Sequence, residues 1–374
     1  MRRLLITAVT GLSLFFASAT TVALALFSVV SRAQQPHQQP ASIPFNVTEA
    51  HQATEKLAAQ LEENFIYPDV GKSYANLLRS KVKSGAYSKF SSAEEFAKVV
   101  TSDLQAVHPE GHLKLQPPVA TVAGVQTAAN IERINGVGKS GWLAPGVAYM
   151  SFHGFSGNRG EYQSVLTKLR EVLDGFSTAK TLIIDARPHL GGALDEMDVM
   201  FSYFFDKPTT LVMMDTRLDA EKRGGNPLAN HPTLKVIEGP EGIVRRAHIS
   251  VPSQKRTALS NARILLLTSN KTASAGEHLS LALKRTKRAT LIGETTAGAG
   301  HFGRTTALGG GYRAFIPVGR TFDPDTDKGW EQTGVEPHIK VPAERALDEA
   351  LKRARVNQEA AKKALESFPM VGSR

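Results

Sequence analysis

Ser274 stands three positions before Glu277, where the apolar run of "LLLTSNKTASAGEHLSLALK" gives way to small residues and then to a helical pattern. Ser-x-x-Glu ahead of an apolar repeat is a capping-box signature, in which the two residues satisfy each other's backbone N–H groups. The same position suits a nucleophile. Free N–H groups at a helix N-terminus, together with the helix dipole, favour a developing negative charge. Acyl transfer creates such a charge beside the attacking hydroxyl. The spacing alone leaves cap and nucleophile both open.

A serine nucleophile needs a base. Of the eleven histidines, His37 lies in a Gln/Pro-rich stretch and His51 in an amphipathic one. His112, His189, His278 and His301 lie in or beside glycine-flanked turns. Each of these taken singly reads first as a polar loop residue. No histidine pair has a His-Glu-x-x-His or comparable spacing, which argues against a zinc hydrolase. The chain has no cysteine, so disulfides, a thiol nucleophile and a thiolate metal site are excluded. Gly191-Gly192 ends a second apolar run and could bring another backbone N–H close to the serine, since glycine allows an approach that a side chain would block. An ordinary strand-to-helix turn fits those glycines equally well.

The elements that would position these residues alternate in type. "GVAYMSFHGF", a helical face of Tyr162, Val165, Leu166, Leu169 and Val172, and "TLIIDARPHLGG" form one strand-helix-strand unit. "ARILLLTSN", a helix from Ser274 to about Lys287, and "ATLIGETTAGAG" form a second. "GYRAFIPVGR" adds a strand and residues 343–354 a closing helix, so the expected core is α/β. In open α/β folds, sites are built on the loops at the carboxyl ends of the strands. Ahead of this core the period is helical. Ala53, Leu57, Leu61 and Phe65 recur every four residues up to Tyr67-Pro68, and two further amphipathic stretches run to about Val107.

The N-terminus reads as an export segment: a basic start, a 27-residue apolar run from Leu4 to Val30, then the small-x-small pattern Ser31-Arg32-Ala33. That run is also long enough to anchor the chain in a bilayer. Cleavage after residue 33 would lower the formal charge from +10 to +7 by removing Arg2, Arg3 and Arg32. The remaining basic residues sit largely on helices, and no nucleic-acid module is present, so a solvated basic surface is expected. The expected organisation is an export signal or anchor over 1–33, a linker over 34–46, a helical domain over 47–115, an α/β core over 116–354 and a basic tail or helix extension over 355–374.

"EGHLKL", "TLIIDARPHLGG", "LLLTSNKTASAGEHLSLALK", "ATLIGETTAGAG" and "WEQTGVEPHIKV" occur in this order, and together they resemble the motifs of the tail-specific, or C-terminal-processing, serine peptidases. The resemblance spans about residues 47 to 354 and points to the PDZ-less branch with the interphotoreceptor retinoid-binding protein modules and the tricorn core protease. It implies a crotonase-like core and a peptide or protein substrate, with no metal or cofactor. It also implies Ser274 as nucleophile, His112 of "EGHLKL" as base, Glu331 of "WEQTGVEP" as the acid that orders the histidine's polar network, and the N–H groups of Gly191 and Ala275 as oxyanion hole. His301 is the alternative base. A Ser-Lys dyad is not implied, because the family's lysine position falls at Ala299. About 35 residues between His112 and "VAYMSF" leave no room for a PDZ module. His189 stands where asparagine is usual, which bears on the oxyanion loop and on what binds beside it, and His338 stands where aspartate is usual. The expected protein is thus an exported peptidase, periplasmic or extracellular, touching membrane at most through its N-terminus. The rival expectations are a non-catalytic binder of apolar ligands or peptides on the same scaffold, and a serine esterase.

Overall fold

The computed structural model describes residues 43–119, 136–157, 163–255 and 257–371. The expected export segment, and Tyr162 of the expected helical face, lie outside the described residues. The described residues belong to one compact unit, Ala41–Arg374.

Three helices open the chain: α1 (Val47–Asn64), α2 (Pro68–Lys83) and α3 (Ala93–Val107). Asn46 caps α1 by accepting from the N–H groups of Thr48 and Glu49 at 3.0 and 3.2 Å. Pro68 starts α2, where its missing N–H costs nothing. Ser92 caps α3 through the N–H of Glu95 at 3.2 Å. Their apolar stripes, among them Leu57, Leu61, Tyr74, Phe96 and Leu104, are buried in one cluster with Tyr312, Ala314, Ile316 and Val318. The bundle therefore packs on a sheet and has no separate core.

After β1 (Leu115–Gln116), β2 (Gly136–Ala144) and β3 (Val147–Gly154) form a hairpin. Then come α4 (Gln163–Gly175), β4 (Thr181–Asp185) and α5 (Asp195–Phe204). An antiparallel excursion follows: β5 (Thr210–Arg217), the short α6 (Leu218–Lys222), β6 (Leu234–Ile237) and β7 (Ile243–Ile249). The chain returns through β8 (Arg263–Thr268), α7 (Ala275–Arg285) and β9 (Ala289–Gly293). It ends with β10 (His301–Gly309), β11 (Tyr312–Phe322), β12 (Ile339–Lys340), α8 (Ala346–Ala354) and α9 (Gln358–Ser367).

One sheet has the order β12-β9-β8-β4-β3-β2, parallel from β12 to β3. Both expected strand-helix-strand units are present in it, as β3-α4-β4 and β8-α7-β9. Its central strands are continuous apolar runs because both faces are covered. One face packs with Leu169, Met197, Phe201 and Leu283, the other with Leu347, Ala350 and Leu351 of α8. The second sheet has the order β1-β11-β5-β7-β6 with β10 also on β11, and the paired strands are antiparallel. The fold is mixed α/β with a helical N-terminal bundle.

Candidate active site

The carboxyl ends of β4, β8 and β9 lie side by side, with Ile183, Leu265 and Thr290 in register, so their three outgoing loops meet. Backbone bonds join them: Ala273 N–H to the His189 carbonyl and Ala297 N–H to the Thr272 carbonyl, both at 2.9 Å. Thr272 and Ser269 donate their hydroxyls to the carbonyls of Ala186 and Arg187 at 2.7 and 2.6 Å. Asp185 and Arg187 form an ion pair at the start of this turn: Arg187 Nε donates at 2.8 Å, and Tyr149 OH also donates to the same carboxylate, at 2.9 Å.

Ser274 ends the loop after β8 and caps α7 with φ 53° and ψ −116°. A non-glycine residue rarely holds a positive φ, and such strain persists only where the surroundings enforce it. Here Glu277 enforces it. Its buried carboxylate accepts from Ser274 N–H at 2.8 Å, Thr296 Oγ1 at 2.6 Å, Gly298 N–H at 2.6 Å and Ala299 N–H at 2.8 Å. Burial pushes the Glu277 carboxyl up from its ordinary range, and these donors pull it back. The capping pair is therefore present, but Glu277 N–H bonds to the Ser274 carbonyl at 2.8 Å and no cap hydrogen bond of good geometry holds the serine side chain. Glu277 does more than close a helix; it ties Ser274 to the loop after β9.

Ala275 N–H and Gly192 N–H have no hydrogen-bond partner among the described residues. Gly191, the other expected oxyanion donor, differs. Its N–H donates to His189 Nδ1 at 3.1 Å, so in this conformation it is committed within its own loop. The physical reason is the histidine in the asparagine position, whose ring nitrogen reaches two residues on. His189 is wholly buried and burial pushes its imidazole down to about 3, so it is neutral. Its Nε2 has no partner. Gly191 still lies directly behind the serine: a Cβ on it would stand 2.8 Å from Ser274 Cβ.

His112 and Ser274 line one groove of about 770 Å³, together with Leu190, Gly192, Leu228 and Phe315. The His112 ring stacks on Phe315 with centroids 4.9 Å apart. Its Nδ1 is buried without a partner. Burial lowers its basicity, with Glu110 and Glu331 opposing. Glu331 does not bond the ring. Its Oε1 accepts from Gly111 N–H at 2.7 Å and its Oε2 from Gly300 N–H at 2.5 Å and His301 N–H at 3.1 Å, so it joins the backbone beside His112 to the loop after β9.

His301 is held differently. Its Nδ1 lies 2.5 Å from Glu110 Oε2, and its Nε2 lies 3.5 Å from the Tyr67 hydroxyl. Glu110, only 1% exposed, also accepts from His112 N–H at 3.2 Å. Sequence reasoning passed over Glu110, although an acid two residues before the histidine in "EGHLKL" is a visible signal. Glu110, His301 and Glu331 lie close enough to share an ion, but every carboxylate oxygen already accepts an N–H. His338 is remote from this chemistry; its Nδ1 accepts from Leu291 N–H at 3.0 Å.

A half-buried serine at a helix N-terminus, free backbone N–H groups beside it and a partly buried imidazole in the same groove are the parts that a serine hydrolase site requires. The profile of peptidase family S41 matches residues 146–341, and that of the N-terminal domain of this family in eukaryotic IRBP matches residues 42–139. The chain belongs to peptidase family S41 and is a serine-type peptidase. Among solved structures, a lipoprotein from Streptococcus agalactiae is similar at 16% identity and TM-score 0.54, over 86% of this chain and 100% of that one. The photosystem II D1 C-terminal processing protease aligns at 14% identity and TM-score 0.49, over 83% and 98%. The tricorn protease aligns at 12% identity and TM-score 0.46, over 86% of this chain and 37% of that one.

Proposed function

We propose that the protein is an exported serine peptidase that hydrolyses peptide bonds through an acyl-enzyme, with a crotonase-like core following its helical domain. Ser274 Oγ attacks the substrate carbonyl and His112 takes its proton. The tetrahedral oxyanion is held by Ala275 N–H and by the glycine turn, through Gly192 as it stands or through Gly191 once that N–H leaves His189. His112 then returns the proton to the leaving amine, and water repeats the sequence on the ester. Glu331 positions His112 through the Gly111 backbone.

The observation that carries this reading is the strained Ser274 at the start of α7 in the same groove as His112. Export rests on the N-terminal pattern of a basic start, an apolar run and a small-x-small site. Among the described residues no helix is long and apolar enough to cross a membrane.

The test is covalent labelling of the folded protein with a fluorophosphonate, mapped by mass spectrometry. Ser274→Ala should abolish labelling, and His112→Ala should slow it by roughly 10²–10⁴, the usual worth of a general base. Labelling that survives His112→Ala at full rate would move the base to His301. A folded protein that does not label would leave Ser274 a helix cap on a binding scaffold.

A further inference from the structure

Beside Ser274 a second, smaller hollow of about 60 Å³ is walled by Leu194, Met214, His278, His301, Thr321 and Trp330. It also touches Gly192 and Ala275, whose N–H groups would face the oxyanion, so it lies where the side chain of the attacked residue would enter. Its size admits only a few heavy atoms.

His278 lies one turn after Ser274 on α7 and is 3% exposed. Its Nε2 is 2.9 Å from His248 Nδ1, and His248 Nε2 is 2.6 Å from Asp198 Oδ1. Asp198 also accepts the Thr233 hydroxyl at 2.8 Å. A carboxylate only accepts, so the His248 proton lies on Nε2, and a neutral His248 offers a lone pair at Nδ1. His278 must then donate from Nε2, which leaves its Nδ1 unprotonated. Burial, the first cause, disfavours a charge on His278. The other imidazole of the hollow, His301, has Nδ1 engaged with Glu110 and Nε2 near Tyr67. Thr321 supplies a hydroxyl that can donate or accept.

Resting on the peptidase reading above, we propose that this hollow is the P1 side-chain pocket, and that the Asp198–His248–His278 chain fixes in it a hydrogen-bond acceptor, His278 Nδ1, which selects small hydroxylated P1 residues. His278 is the specificity residue; His248 and Asp198 are positioning residues that set its tautomer. Threonine and valine are nearly isosteric, so between them the apolar walls cannot distinguish. A site that hydrogen-bonds a hydroxyl discriminates against the analogue lacking it, because its own polar group is left unpaired.

The experiment measures kcat/KM at pH 8 for a peptide series differing only at P1, after fluorophosphonate labelling has shown whether Ser274 is active. Thr should exceed Val roughly tenfold, one good hydrogen bond, and Phe and Lys should be turned over least. His278→Leu should bring the Thr/Val ratio to about one by the same argument, whereas Thr321→Val should keep the preference. Nitrogen-15 NMR of labelled histidines reads the tautomer without turnover: His278 should carry its proton on Nε2, and lose that fixed state in His248→Phe. Equal use of Thr and Val by a labelling-competent protein, a preference lost in Thr321→Val, or a His278 protonated on Nδ1 would each overturn the pocket assignment while leaving the peptidase reading intact.

Discussion

His112 has two opposing influences on its proton. Burial disfavours the imidazolium and is the largest, and the carboxylates of Glu110 and Glu331 favour it. The net direction is downward from 6.5, so the ring is neutral, the form a general base requires, at any pH near 7. The acid limb of kcat/KM reports the free enzyme's base. It should fall below pH 6.5, and Glu331→Gln, which removes one of the charges favouring protonation, should move it lower still. A limb above 6.5 would mean that the carboxylates outweigh burial, or that the base is another residue. His301 makes a clear contrast, because its Nδ1 is already bonded to Glu110 and its Nε2 lies near Tyr67 rather than open to the groove.

At the scale of elements, the site is three loops on adjacent parallel strands, and Glu277 is the bond between two of them. Glu277→Gln keeps the shape but replaces one accepting oxygen with an amide that faces N–H donors. At least one of Ser274, Gly298 and Ala299 is then left unpaired in a buried place. The expected cost is about 1–3 kcal/mol in urea unfolding, together with slower fluorophosphonate labelling, because Ser274 loses what holds its positive φ. A stability loss with an unchanged labelling rate would confine Glu277 to capping. These elements differed in how readable they were. The runs Leu182–Ile184 and Ile264–Leu267, buried on both faces, announce parallel strands, and the four-residue repeat over Ala53–Leu61 announces α1. The excursion β5–β7 was not foreseen. Its alternation is broken by one extra residue between Thr210 and Val212 and by inward-facing charge, Asp215 taking a two-pronged bond from Arg245 at 2.7 and 2.8 Å. Ser274 and His112 could be singled out from their motifs, but the His189 bond to Gly191 could not, because it depends on a backbone turn and not on residue type.

Across the whole molecule, burial holds several imidazoles in the neutral form: His112, His189, His231 and His278 are all lowered, with burial the first cause of each. An unfolded chain protonates these rings near pH 6.5, whereas the folded chain does so only further down. Between those values the unfolded state binds more protons, so stability falls as pH falls. For His189, with its folded value at about 3, the window runs from 6.5 down to about 3. Its share of the loss is roughly 2 kcal/mol between pH 7 and pH 5. Glu196 and Glu277 act in the opposite sense, since burial raises both, and the folded state gains from their protonation as pH drops through their raised values toward 4.5. The His189 window covers most of the interval between pH 7 and pH 5. Urea unfolding at pH 7 and pH 5 should therefore show a steep drop for the native chain. His189→Asn, which restores a side chain that does not titrate, should show a smaller drop by about the share of that one ring. An equal drop in both would mean that His189 takes up its proton in the folded protein near its ordinary pH, and that its bond from Gly191 N–H is given up on the way.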